Sequence, residues 1–403
     1  MTIVFDPSHL RGHVRVPPSK SQSHRALICA ASADGVSHLH DLSDCEDCRA
    51  TEDALRALGA KIRRDGHTVI VDGSGFAKLP EAPILPCKES GTTFRMLLPL
   101  SISRNNKAIF QGSIRLIERV LPDVIDFCNA FGAMYEQSGT QLTITGHLTS
   151  GDLHFPGNGS SQLISGLLMA LPFCRGDSHL ELSSPPVSRP YIDMTIRELS
   201  RFGISVNAVS RTSFLIPGAR IPAPTDMTVE GDHSAAAPFF LLAALGENIS
   251  VDGLSAGSVQ GDKVAFPLLS SLSRGTADIS LSDIPDLAPC LFAMASVAHG
   301  GRFSGIARLR RKETDRVACM EQELSAFGAS FSYEGDDCLI IAPGHLAMPR
   351  HPLSSHGDHR IAMALSSLLS LTGGTLSEAD CVSKSFPGFF SQLSSAGARF
   401  SRR

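Results

Sequence analysis

The chain has 403 residues, of which 42% are hydrophobic. It is long enough for about two or three domains with sizeable cores, and it is too apolar to be disordered. Its 36 lysines and arginines and 40 aspartates and glutamates give a net charge of −4, without a basic tail or an acidic run. Bulk attraction to nucleic acid or to an anionic membrane is therefore not expected, and strong anion binding would need a local cluster of cations.

The sequence also bears on the cellular setting. The N-terminal segment has no apolar core and no cleavage-like site, so it predicts neither a signal peptide nor a transit peptide. The longest apolar run, Ala235 to Gly246, contains Pro238 and is too short for a membrane span. Ten cysteines are scattered without a disulfide rhythm, which favours a reducing compartment. We therefore expect a cytoplasmic protein without a membrane partner.

A repeated pattern organises the chain: a helical run, a glycine, and then a pair of strands. The glycines that mark the repeat are Gly59, Gly132, Gly203, Gly275, Gly328 and Gly397, the copies at 275 and 397 being degenerate. Glycine just past a helix end supplies the positive φ of a C-cap, and Asp65-Gly66 predicts the turn of a hairpin. Six units, each too small to bury its own apolar face, predict an α/β protein with two domains of three units.

Five predicted helix starts combine small polar residues with free backbone N–H groups, and four of them also carry lysine or arginine. They are Pro18–Arg25, Glu89–Arg95, Gly157–Gln162, Lys312–Arg316 and Gly357–Arg360. A cation in the first turn opposes the helix dipole, so its repeated occurrence suggests that a bound anion supplies the missing negative charge. Such helix starts are typical of phosphate and carboxylate sites.

Each of these residues also has a simpler interpretation. Gly91 and Gly159 could be turn glycines that need a positive φ. Arg115 could pair with Glu118 along one helix face. Asp286 could be an ordinary helix cap. Only the repetition of the pattern favours anion binding over independent caps.

Two other candidates carry weaker signals. Cys45 and Cys48 form a lone C-x-x-C, and because no second pair with zinc spacing follows, no metal site is expected. Lys263, in Gln260-Gly-Asp-Lys263, could be catalytic but fits a surface lysine better.

With these motifs the chain resembles the 5-enolpyruvylshikimate-3-phosphate synthase family of enolpyruvyl transferases. The resemblance is collinear from Val14 to about Gln392. It rests on Pro18–Arg25, Ser90–Arg95, Arg310–Arg316, Gly357–Met363 and Lys384–Pro387.

The resemblance implies an α/β fold with two domains, each made of three helix-and-sheet units around a pseudo-threefold axis. Residues 1–18 and 231–403 would form the first, discontinuous domain, and residues 19–230 the second. The active site would lie in the cleft between them. The protein is expected to be a monomer.

The activity implied is transfer of the enolpyruvyl group of phosphoenolpyruvate to the 5-hydroxyl of shikimate-3-phosphate, with release of phosphate. This step leads toward chorismate and the aromatic amino acids. The resemblance also implies that the herbicide glyphosate competes with phosphoenolpyruvate. Neither a metal nor an organic cofactor is expected.

The resemblance assigns site residues one by one. Shikimate-3-phosphate would contact Lys20, Ser21, Arg25, Ser160, Ser161, Gln162, Ser188, Tyr191, Asp286 and Lys312. Phosphoenolpyruvate would contact Lys20, Gly91, Arg95, Arg115, Gln162, Arg316, Arg360 and Lys384. Glu89 and Arg308 depart from the family, because many relatives carry asparagine at both positions.

The catalytic groups implied are Asp286, Glu313 and Lys20. Glu313 is our first choice for the proton of the methyl group, with Lys20 as a partner, and Asp286 for the proton of the hydroxyl; the division of roles stays open. The motifs hold eight cations against these two carboxylates. The two substrates together carry a charge of roughly −5 to −6, so the predicted site nearly neutralises them.

Three alternatives remain at this point. A transferase acting on a UDP-amino sugar would share the fold, but it would carry a reactive cysteine in a mobile loop, whereas Cys128 lies in a helix-like run. A non-catalytic phosphometabolite-binding protein would need neither Asp286 nor Glu313. Nucleic-acid end-processing enzymes can share the repeat, but the acidic balance and the lack of interleaved aromatics disfavour them.

Overall fold

The computed structural model describes residues 1–77, 81–104 and 106–403. Backbone contacts divide the chain into two compact units. Unit 1 contains Met1–Pro17 and Gly231–Arg403, and unit 2 contains Pro18–Glu230. The chain therefore passes from one unit to the other twice.

Each unit contains six of the described α-helices. In unit 2 the helices are α1 (Lys20–Ala31), α2 (Glu46–Ala57), α3 (Gly91–Arg104), α4 (Ile114–Phe131), α5 (Ser161–Ala170) and α6 (Arg189–Arg201). In unit 1 they are α7 (His233–Ala244), α8 (Ala265–Leu272), α9 (Ala288–Val297), α10 (Arg316–Leu324), α11 (His359–Thr372) and α12 (Phe389–Ser395). Within the described residues, none of these helices has the length and apolar character needed to cross a membrane.

The strands are likewise numbered along the chain. Unit 1 contains β1 (Ile3–Asp6), β2 (Arg11–Arg15), β15 (Asn248–Asp252), β16 (Asp278–Ser280), β17 (Gly301–Ser304), β18 (Ser330–Tyr333), β19 (Cys338–Ala342), β20 (Leu353–Ser354), β21 (Gly374–Ser377) and β22 (Arg399–Arg402). Unit 2 contains β3 (Val36–His40), β4 (Lys61–Asp65), β5 (Thr68–Asp72), β6 (Ile84–Lys88), β7 (Lys107–Gly112), β8 (Met134–Ser138), β9 (Gln141–Thr145), β10 (Gly151–Phe155), β11 (Ser178–Leu182), β12 (Asn207–Ala208), β13 (Ser213–Ile216) and β14 (Asp226–Thr228).

One pairing pattern recurs in the sheets of both units: a parallel pair is followed by two antiparallel pairings. In unit 2 the strand orders are β14-β3-β5-β4, β6-β7-β9-β8 and β10-β11-β13-β12. In unit 1 they are β16-β17-β19-β18 and β20-β21-β1-β22, together with a parallel pair, β15-β2. The pattern gives three sheets per described unit, as the repeat in the sequence predicts.

Most of the repeat glycines occupy the helix end that the sequence predicts. Gly59 has φ +94° between α2 and the hairpin β4–β5, and Gly328 has φ +83° between α10 and the hairpin β18–β19. The turn of the first hairpin differs by one residue from the prediction. Asp65 still pairs with Thr68, so the two-residue loop is Gly66-His67 rather than Asp65-Gly66.

The predicted hairpin after Gly275 is wrong. That glycine has no left-handed φ, and only the short strand β16 follows it, pairing parallel with β17. The hairpin's absence also explains why the spacing of repeat glycines is shortest here and why the sheet β15-β2 has two strands. The fourth repeat, marked by Gly275, is thus a reduced copy.

The core of each unit is formed around helices that are buried on nearly all sides: α1, α3 and α5 in unit 2, and α7, α9 and α11 in unit 1. Helices α3 and α5 approach closely, because a Cβ at Gly166 would lie 2.8 Å from the carbonyl oxygens of Arg95 and Met96. This close contact holds α5 against α3. Predicted anion motifs begin all three buried helices of unit 2.

A pair of glycine substitutions in unit 1 tests the role of the repeat glycine. Gly328→Ala adds a Cβ that meets no atom closer than 3.7 Å, so its penalty comes from the left-handed backbone alone. We expect a loss of about 1–2 kcal/mol, equivalent to a melting temperature lower by roughly 2–8 °C in calorimetry.

The matched control is Gly275→Ala, where the backbone is not left-handed and a Cβ meets nothing within 4 Å. We expect this change to be neutral or to stabilise by about 0.4–1 kcal/mol. Equal melting temperatures for the two variants would contradict the assigned role of Gly328.

Candidate active site

Helix α1 begins at the first predicted motif. The Ser19 side chain caps it by accepting a hydrogen bond from the backbone N–H of Gln22. Lys20 is the first helical residue, and its Nζ lies 2.9 Å from Oδ2 of Asp47 in the first turn of α2. A protein carboxylate, which the sequence did not single out, therefore supplies part of the negative charge expected at this helix start.

Arg25 is buried in unit 2. Its Nε donates to Thr195 Oγ1 at 2.7 Å, and its two terminal nitrogens donate to the backbone carbonyls of Ser21 and Tyr191 and to Ser165 Oγ. Burial lowers the pKa of Arg25 to about 10, so the group is still a cation at neutral pH. It joins α1, α5 and α6 and brings the predicted residues Ser21 and Tyr191 together.

A second cluster surrounds Arg95 in α3. Its Nε donates to Asp123 Oδ2 at 2.6 Å, and its Nη1 donates to Gln162 Oε1 at 3.3 Å. The amide of Gln162 in turn donates to Thr92 Oγ1 at 2.8 Å. The first turns of α3 and α5 therefore share one polar surface, on which two predicted phosphoenolpyruvate contacts lie together.

Gly91, the first residue of α3, is not a turn glycine, because its φ lies outside the left-handed region. A Cβ at this position would lie 2.5 Å from Nη1 of Arg95 and 2.8 Å from Nη2 of Arg119. The missing side chain therefore leaves room for two guanidinium groups. The simpler interpretation of Gly91 is wrong, and Arg119 is a neighbour that the sequence analysis missed.

Arg119 is anchored through the backbone, since its Nη2 donates to the carbonyl oxygen of Glu89 at 3.1 Å. Its Nε is buried without a hydrogen-bond partner in the described part of the chain. Because the contact uses a backbone carbonyl, glutamate in place of asparagine at position 89 leaves it intact. Arg119 is half-buried and stands four residues after Arg115 on the same side of α4, and this helical spacing was the available signal.

The remaining predicted residues of unit 2 are placed as follows. Arg115 is exposed in the first turn of α4, and no ion pair joins it to Glu118 among the described residues. Ser160 is the N-cap of α5 and Ser161 is its first, buried residue. Ser188 is the buried N-cap of α6 at φ +56°, a backbone conformation that serine rarely adopts.

Unit 1 contains a compact charge network around Arg316. The guanidinium, 1% exposed, contacts three carboxylates: Asp358 through Nε at 2.8 Å, Asp286 through Nη1 at 2.9 Å and Glu313 through Nη2 at 2.8 Å. Burial alone would lower the pKa of Arg316, but Asp358, Glu313 and Asp286 raise it well above its usual value. Both predicted catalytic carboxylates of this unit thus meet at one cation.

Asp286 is surrounded by cations. Its Oδ1 also lies 3.3 Å from Lys312 Nζ, and its Oδ2 lies 3.5 Å from Arg360 Nη2. Burial would raise the pKa of Asp286, yet Lys312, Arg360 and Arg316 hold it well below its ordinary value. Burial lowers the pKa of Lys312, although Asp286 opposes that shift. Asp286 is therefore a fixed anion, and the helix-cap interpretation does not account for its contacts.

Asp358 is a carboxylate of this network that the sequence did not single out. It is fully buried and caps α11 by accepting a hydrogen bond from the backbone N–H of Arg360 at 2.8 Å. It also forms an ion pair with Arg316. Helix α10 begins at Arg316 with Asp315 as its N-cap, so the predicted start at Lys312 is wrong, and Lys312 is not a helical neighbour of Arg316.

The fourth predicted cation of this region, Lys384, makes a single backbone hydrogen bond. Lys384 ends the 3₁₀ turn Ala379–Lys384, and its Nζ donates to the carbonyl of Gly357 at 3.2 Å. It therefore lies beside the residue that precedes Asp358. Arg308 is half-buried in the 3₁₀ turn Ala307–Arg311, and its charge helps to lower the pKa of Lys312.

A further buried acid, Asp262, was missed within Gln260-Gly-Asp-Lys263. It accepts a hydrogen bond from the Ser234 hydroxyl, while its Oδ1 has no partner among the described residues. Burial, followed by the charge of Asp286, raises the pKa of Asp262 to about 7. Lys263, which the sequence did single out, donates instead to the carbonyl of Ser258 at 3.0 Å.

The charge balance predicted from the motifs needs correction. The three carboxylates Asp47, Asp123 and Asp358 pair with predicted cations, in addition to Asp286 and Glu313. In unit 2 the four predicted cations face two carboxylates, and in unit 1 four cations face three. Each set keeps a net positive charge, but a smaller one than the sequence predicts.

The described residues also bear on the predictions about cysteines and metal sites. All ten cysteines are free, and Cys128 is buried in α4, away from any loop. Nowhere in residues 1–77, 81–104 and 106–403 do three or more histidine, cysteine or acidic side chains come together as a possible metal site.

Comparison with known proteins identifies the family of the chain. The family model for EPSP synthase (3-phosphoshikimate 1-carboxyvinyltransferase) matches residues 4–276 and 269–393. A 3-phosphoshikimate 1-carboxyvinyltransferase of Clostridium kluyveri is 37% identical, over 98% of this chain and 97% of its own. A protein of the same name from Methanocorpusculum labreanum is 34% identical, over 99% of both chains.

Solved structures give the same result. EPSP synthase from Acinetobacter baumannii superposes with a TM-score of 0.78 at 25% identity, covering 100% of both chains. The enolpyruvyl transferase NikO from Streptomyces tendae, at 18% identity, superposes with a TM-score of 0.75 over 99% of this chain and 98% of its own. These likenesses confirm the predicted α/β enolpyruvyl transferase fold. With family-model and sequence matches over nearly the whole chain, this protein is an enzyme that belongs to the EPSP synthase family.

Proposed function

We propose that the chain transfers the enolpyruvyl (carboxyvinyl) group of phosphoenolpyruvate to the 5-hydroxyl of shikimate-3-phosphate and releases phosphate. The reaction belongs to the shikimate pathway, which leads to chorismate and the aromatic amino acids. The observation that carries the proposal is the meeting of Asp286 and Glu313 at the buried cation Arg316. Such an arrangement offers proton carriers beside fixed positive charge, as an addition–elimination on an anionic substrate requires.

Residues of both units bind the two substrates in this proposal. Shikimate-3-phosphate contacts Lys20, Ser21, Arg25, Ser160, Ser161, Gln162, Ser188, Tyr191, Asp286 and Lys312. Phosphoenolpyruvate contacts Lys20, Gly91, Arg95, Arg115, Gln162, Arg316, Arg360 and Lys384. The polar surface shared by the starts of α3 and α5 supports the second set, and Arg119 joins it because it lies beside Gly91.

The chemistry proceeds by addition and then elimination. An acid protonates the methylene carbon of phosphoenolpyruvate, and the neighbouring carbon becomes electron-poor. The 5-hydroxyl of shikimate-3-phosphate attacks that carbon while a base takes its proton. The tetrahedral adduct then loses a proton from the new methyl group together with phosphate, which restores the double bond. Glu313, with Lys20 as a partner, carries the methyl proton, and Asp286 takes the hydroxyl proton.

The charge network makes Asp286 a weak base in the free protein, since Lys312, Arg360 and Arg316 lower its pKa. The phosphate and carboxylate groups of the substrates compete for the same cations. When a substrate anion draws Lys312 or Arg360 toward itself, the pKa of Asp286 rises, and the carboxylate becomes a better acceptor for the hydroxyl proton. Substrate binding thus activates the base.

The protein works as a cytoplasmic monomer in this proposal, with no metal, organic cofactor, nucleic acid or membrane as a partner. The alternative of a UDP-amino-sugar transferase is disfavoured, because the one cysteine considered for that role, Cys128, is buried in a helix. The alternative of a binding protein without catalysis does not explain why two carboxylates converge on Arg316.

The activity itself is tested by phosphate release. Purified protein mixed with phosphoenolpyruvate and shikimate-3-phosphate should release phosphate in the presence of a metal chelator, and phosphoenolpyruvate alone should give none. An inactive mixture, or full activity with a UDP-amino sugar in place of shikimate-3-phosphate, would contradict the proposal.

The role of Glu313 is tested by Glu313→Gln, which keeps the size of the side chain but removes the proton carrier. We expect kcat to fall by roughly 10²-fold or more, with KM changed much less, since a positioned acid or base contributes about that factor. The control is Glu136→Gln on the exposed strand β8, which should keep full activity. Unchanged kcat in Glu313→Gln would falsify the assignment.

Gly91→Ala tests the phosphoenolpyruvate site. The added methyl would lie within 3 Å of the guanidinium ends of Arg95 and Arg119, so both groups must move. The methyl also narrows the proposed phosphoenolpyruvate site. Glyphosate is longer than phosphoenolpyruvate, so it should be crowded more. If the extra clash with glyphosate is about 1.4–3 kcal/mol, inhibition weakens roughly 10- to 150-fold. We expect a smaller rise in KM for phosphoenolpyruvate.

Measurement of the inhibition constant, KM and melting temperature separates this steric effect from loss of folding. Gly91 has no left-handed φ, so its alanine variant carries no backbone penalty, and its melting temperature reports only the cost of moving Arg95 and Arg119. Gly275→Ala is the control and should change neither constant. An unchanged ratio of inhibitor to substrate affinity in Gly91→Ala would reject the steric argument.

A further inference from the structure

Four buried polar side chains form a run of hydrogen bonds across three helices of unit 2. Nδ1 of His24 lies 2.7 Å from Oγ1 of Thr51, and that oxygen lies 2.7 Å from Oγ1 of Thr93. The Thr93 hydroxyl in turn donates to Oγ of Ser90 at 2.7 Å. None of these residues is more than 1% exposed. Together they form an interhelical network that joins α1, α2 and the start of α3.

The donors and acceptors of the interhelical network follow from counting protons. A hydroxyl group has one proton to donate, and the Thr93 proton goes to Ser90. In the contact between the two threonines, Thr51 must therefore be the donor. Thr51 is then the acceptor toward His24, so the proton of the neutral imidazole lies on Nδ1. Both threonine hydroxyls also lie 3.5 Å from the carbonyl oxygen of Asp47, a longer and weaker contact than the bonds of 2.7 Å.

The surroundings of His24 agree with a neutral ring. Burial lowers the pKa of His24 to about 3; the charge of Asp47 opposes this shift, and those of Lys20 and Arg25 support it. Nε2 of His24 is buried without a hydrogen-bond partner among the described residues. A proton on Nε2 would be an unsatisfied donor in the interior, which is costly. The proton on Nδ1 has Thr51 as its acceptor.

The interhelical network lies one helical turn from the ion pair of Lys20. His24 stands four residues after Lys20 on α1, and Thr51 stands four residues after Asp47 on α2. Residues at this spacing lie on one face of a helix. The ion pair at 2.9 Å and the hydrogen bond between His24 and Thr51 at 2.7 Å are therefore successive contacts between the same two helices. The second contact limits how far α2 can shift, and with it the carboxylate that holds Lys20.

At its other end the interhelical network holds the start of α3. Ser90 precedes this helix and accepts hydrogen bonds from the hydroxyl and the backbone N–H of Thr93, at 2.7 and 3.2 Å. Between them stand Gly91, the first helical residue, and Thr92, which accepts from the amide of Gln162 at 2.8 Å. The network therefore fixes the helical turn that the proposed function assigns to phosphoenolpyruvate.

We propose that the interhelical network positions Lys20 relative to the first turn of α3, so that both meet phosphoenolpyruvate in one orientation. This role rests on the proposed function, which places Lys20 and Gly91 at that substrate. His24, Thr51, Thr93 and Ser90 are positioning residues, which act through the helices that they join and touch no substrate. Apolar contacts have no preferred direction, whereas a satisfied buried polar network specifies one arrangement of the helices around it.

The proton arrangement is tested without any activity assay. Full-length protein with nitrogen-15 in its histidines is examined by NMR through two-bond proton–nitrogen couplings, which distinguish the two neutral tautomers from the charged ring. The signals of His24 are identified by their loss in His24→Gln. We expect a neutral ring with its proton on Nδ1 at pH 7 and still at pH 5. A ring that carries its proton on Nε2, or one that is charged at pH 5, would contradict the network.

Paired substitutions of Thr51 separate hydrogen bonding from packing. Thr51→Val keeps the shape of the side chain and removes the hydroxyl, whereas Thr51→Ser keeps the hydroxyl and removes a methyl group. We expect kcat for phosphate release to fall roughly tenfold to a hundredfold in Thr51→Val, the penalty of a catalytic group displaced by about 1 Å. Thr51→Ser should keep most of the native kcat. If Thr51→Val were the milder variant, packing would be the role of this residue and the proposal would be wrong.

Thr372→Val is the matched control for the loss of a buried hydroxyl. Thr372 is buried at the end of α11 in unit 1, and its hydroxyl lies 3.1 Å from the carbonyl oxygen of Leu368 and 3.0 Å from that of Gly373. We expect this variant to keep the native kcat, whatever its melting temperature. An equal loss of kcat in Thr372→Val and Thr51→Val would refute a specific role of the network. If Thr51→Val does not fold, the pair Thr93→Val and Thr93→Ser takes its place.

A further measurement distinguishes failure of the network from failure of the proposed function. Amide hydrogen exchange of a peptide that contains residues 90–96, followed by mass spectrometry, reports on the start of α3 without any substrate. We expect exchange there to be roughly two- to tenfold faster in Thr51→Val, the factor that one hydrogen bond contributes, and near native in Thr51→Ser. If the native protein releases no phosphate, the proposed function fails, while the exchange rates and the His24 tautomer still decide whether the network holds α3. Unchanged exchange in Thr51→Val would overturn the proposal.

Discussion

The buried guanidinium of Arg316 is the constraint on which the site in unit 1 depends. A cation that is almost fully removed from water is tolerated only when carboxylates and hydrogen bonds replace its hydration. Asp358 at the start of α11, Asp286 before α9 and Glu313 before α10 supply these groups. Three separate parts of the chain must therefore converge within a few ångströms, and the two carboxylates proposed as catalytic are positioned by the need to neutralise one charge.

In unit 2 the packing of helices positions the polar cluster around Arg95. The close approach of α3 and α5 at Gly166 fixes Gln162 against Arg95, and Asp123 on α4 completes the cluster. Because most of these cations are paired within the protein, a substrate anion does not meet bare positive charge. In the proposed function it must exchange partners with an internal carboxylate, so recognition depends on geometry as well as on charge. In that proposal the same exchange raises the basicity of Asp286 when substrate binds.

Local features could be predicted from the sequence, and tertiary partners could not. The left-handed glycines at positions 59 and 328 depend on neighbouring residues only, so they were predicted correctly. Asp47 and Asp358 look like ordinary acidic residues near helix starts, and only the folded chain reveals which cations they meet. The hairpin predicted after Gly275 was wrong for a different reason. The glycine of the repeat is present in the sequence, but the hairpin that follows other repeat glycines is absent. Family resemblance supplied the candidate residues of the site but not their pairing within the protein.

The pairing of β1 has a consequence for biosynthesis. This strand, Ile3–Asp6, lies between β21 and β22, so its hydrogen-bond partners are residues 374–376 and 399–402. During synthesis β1 is made before unit 2, but its sheet can form only after residues 374–376 and 399–402 have been made. All the strands of unit 2 lie between these partners in sequence, so that unit is complete while the first strand is still unpaired. A nascent chain thus carries an apolar strand without its sheet partners until residues 374–376 and 399–402 have been made.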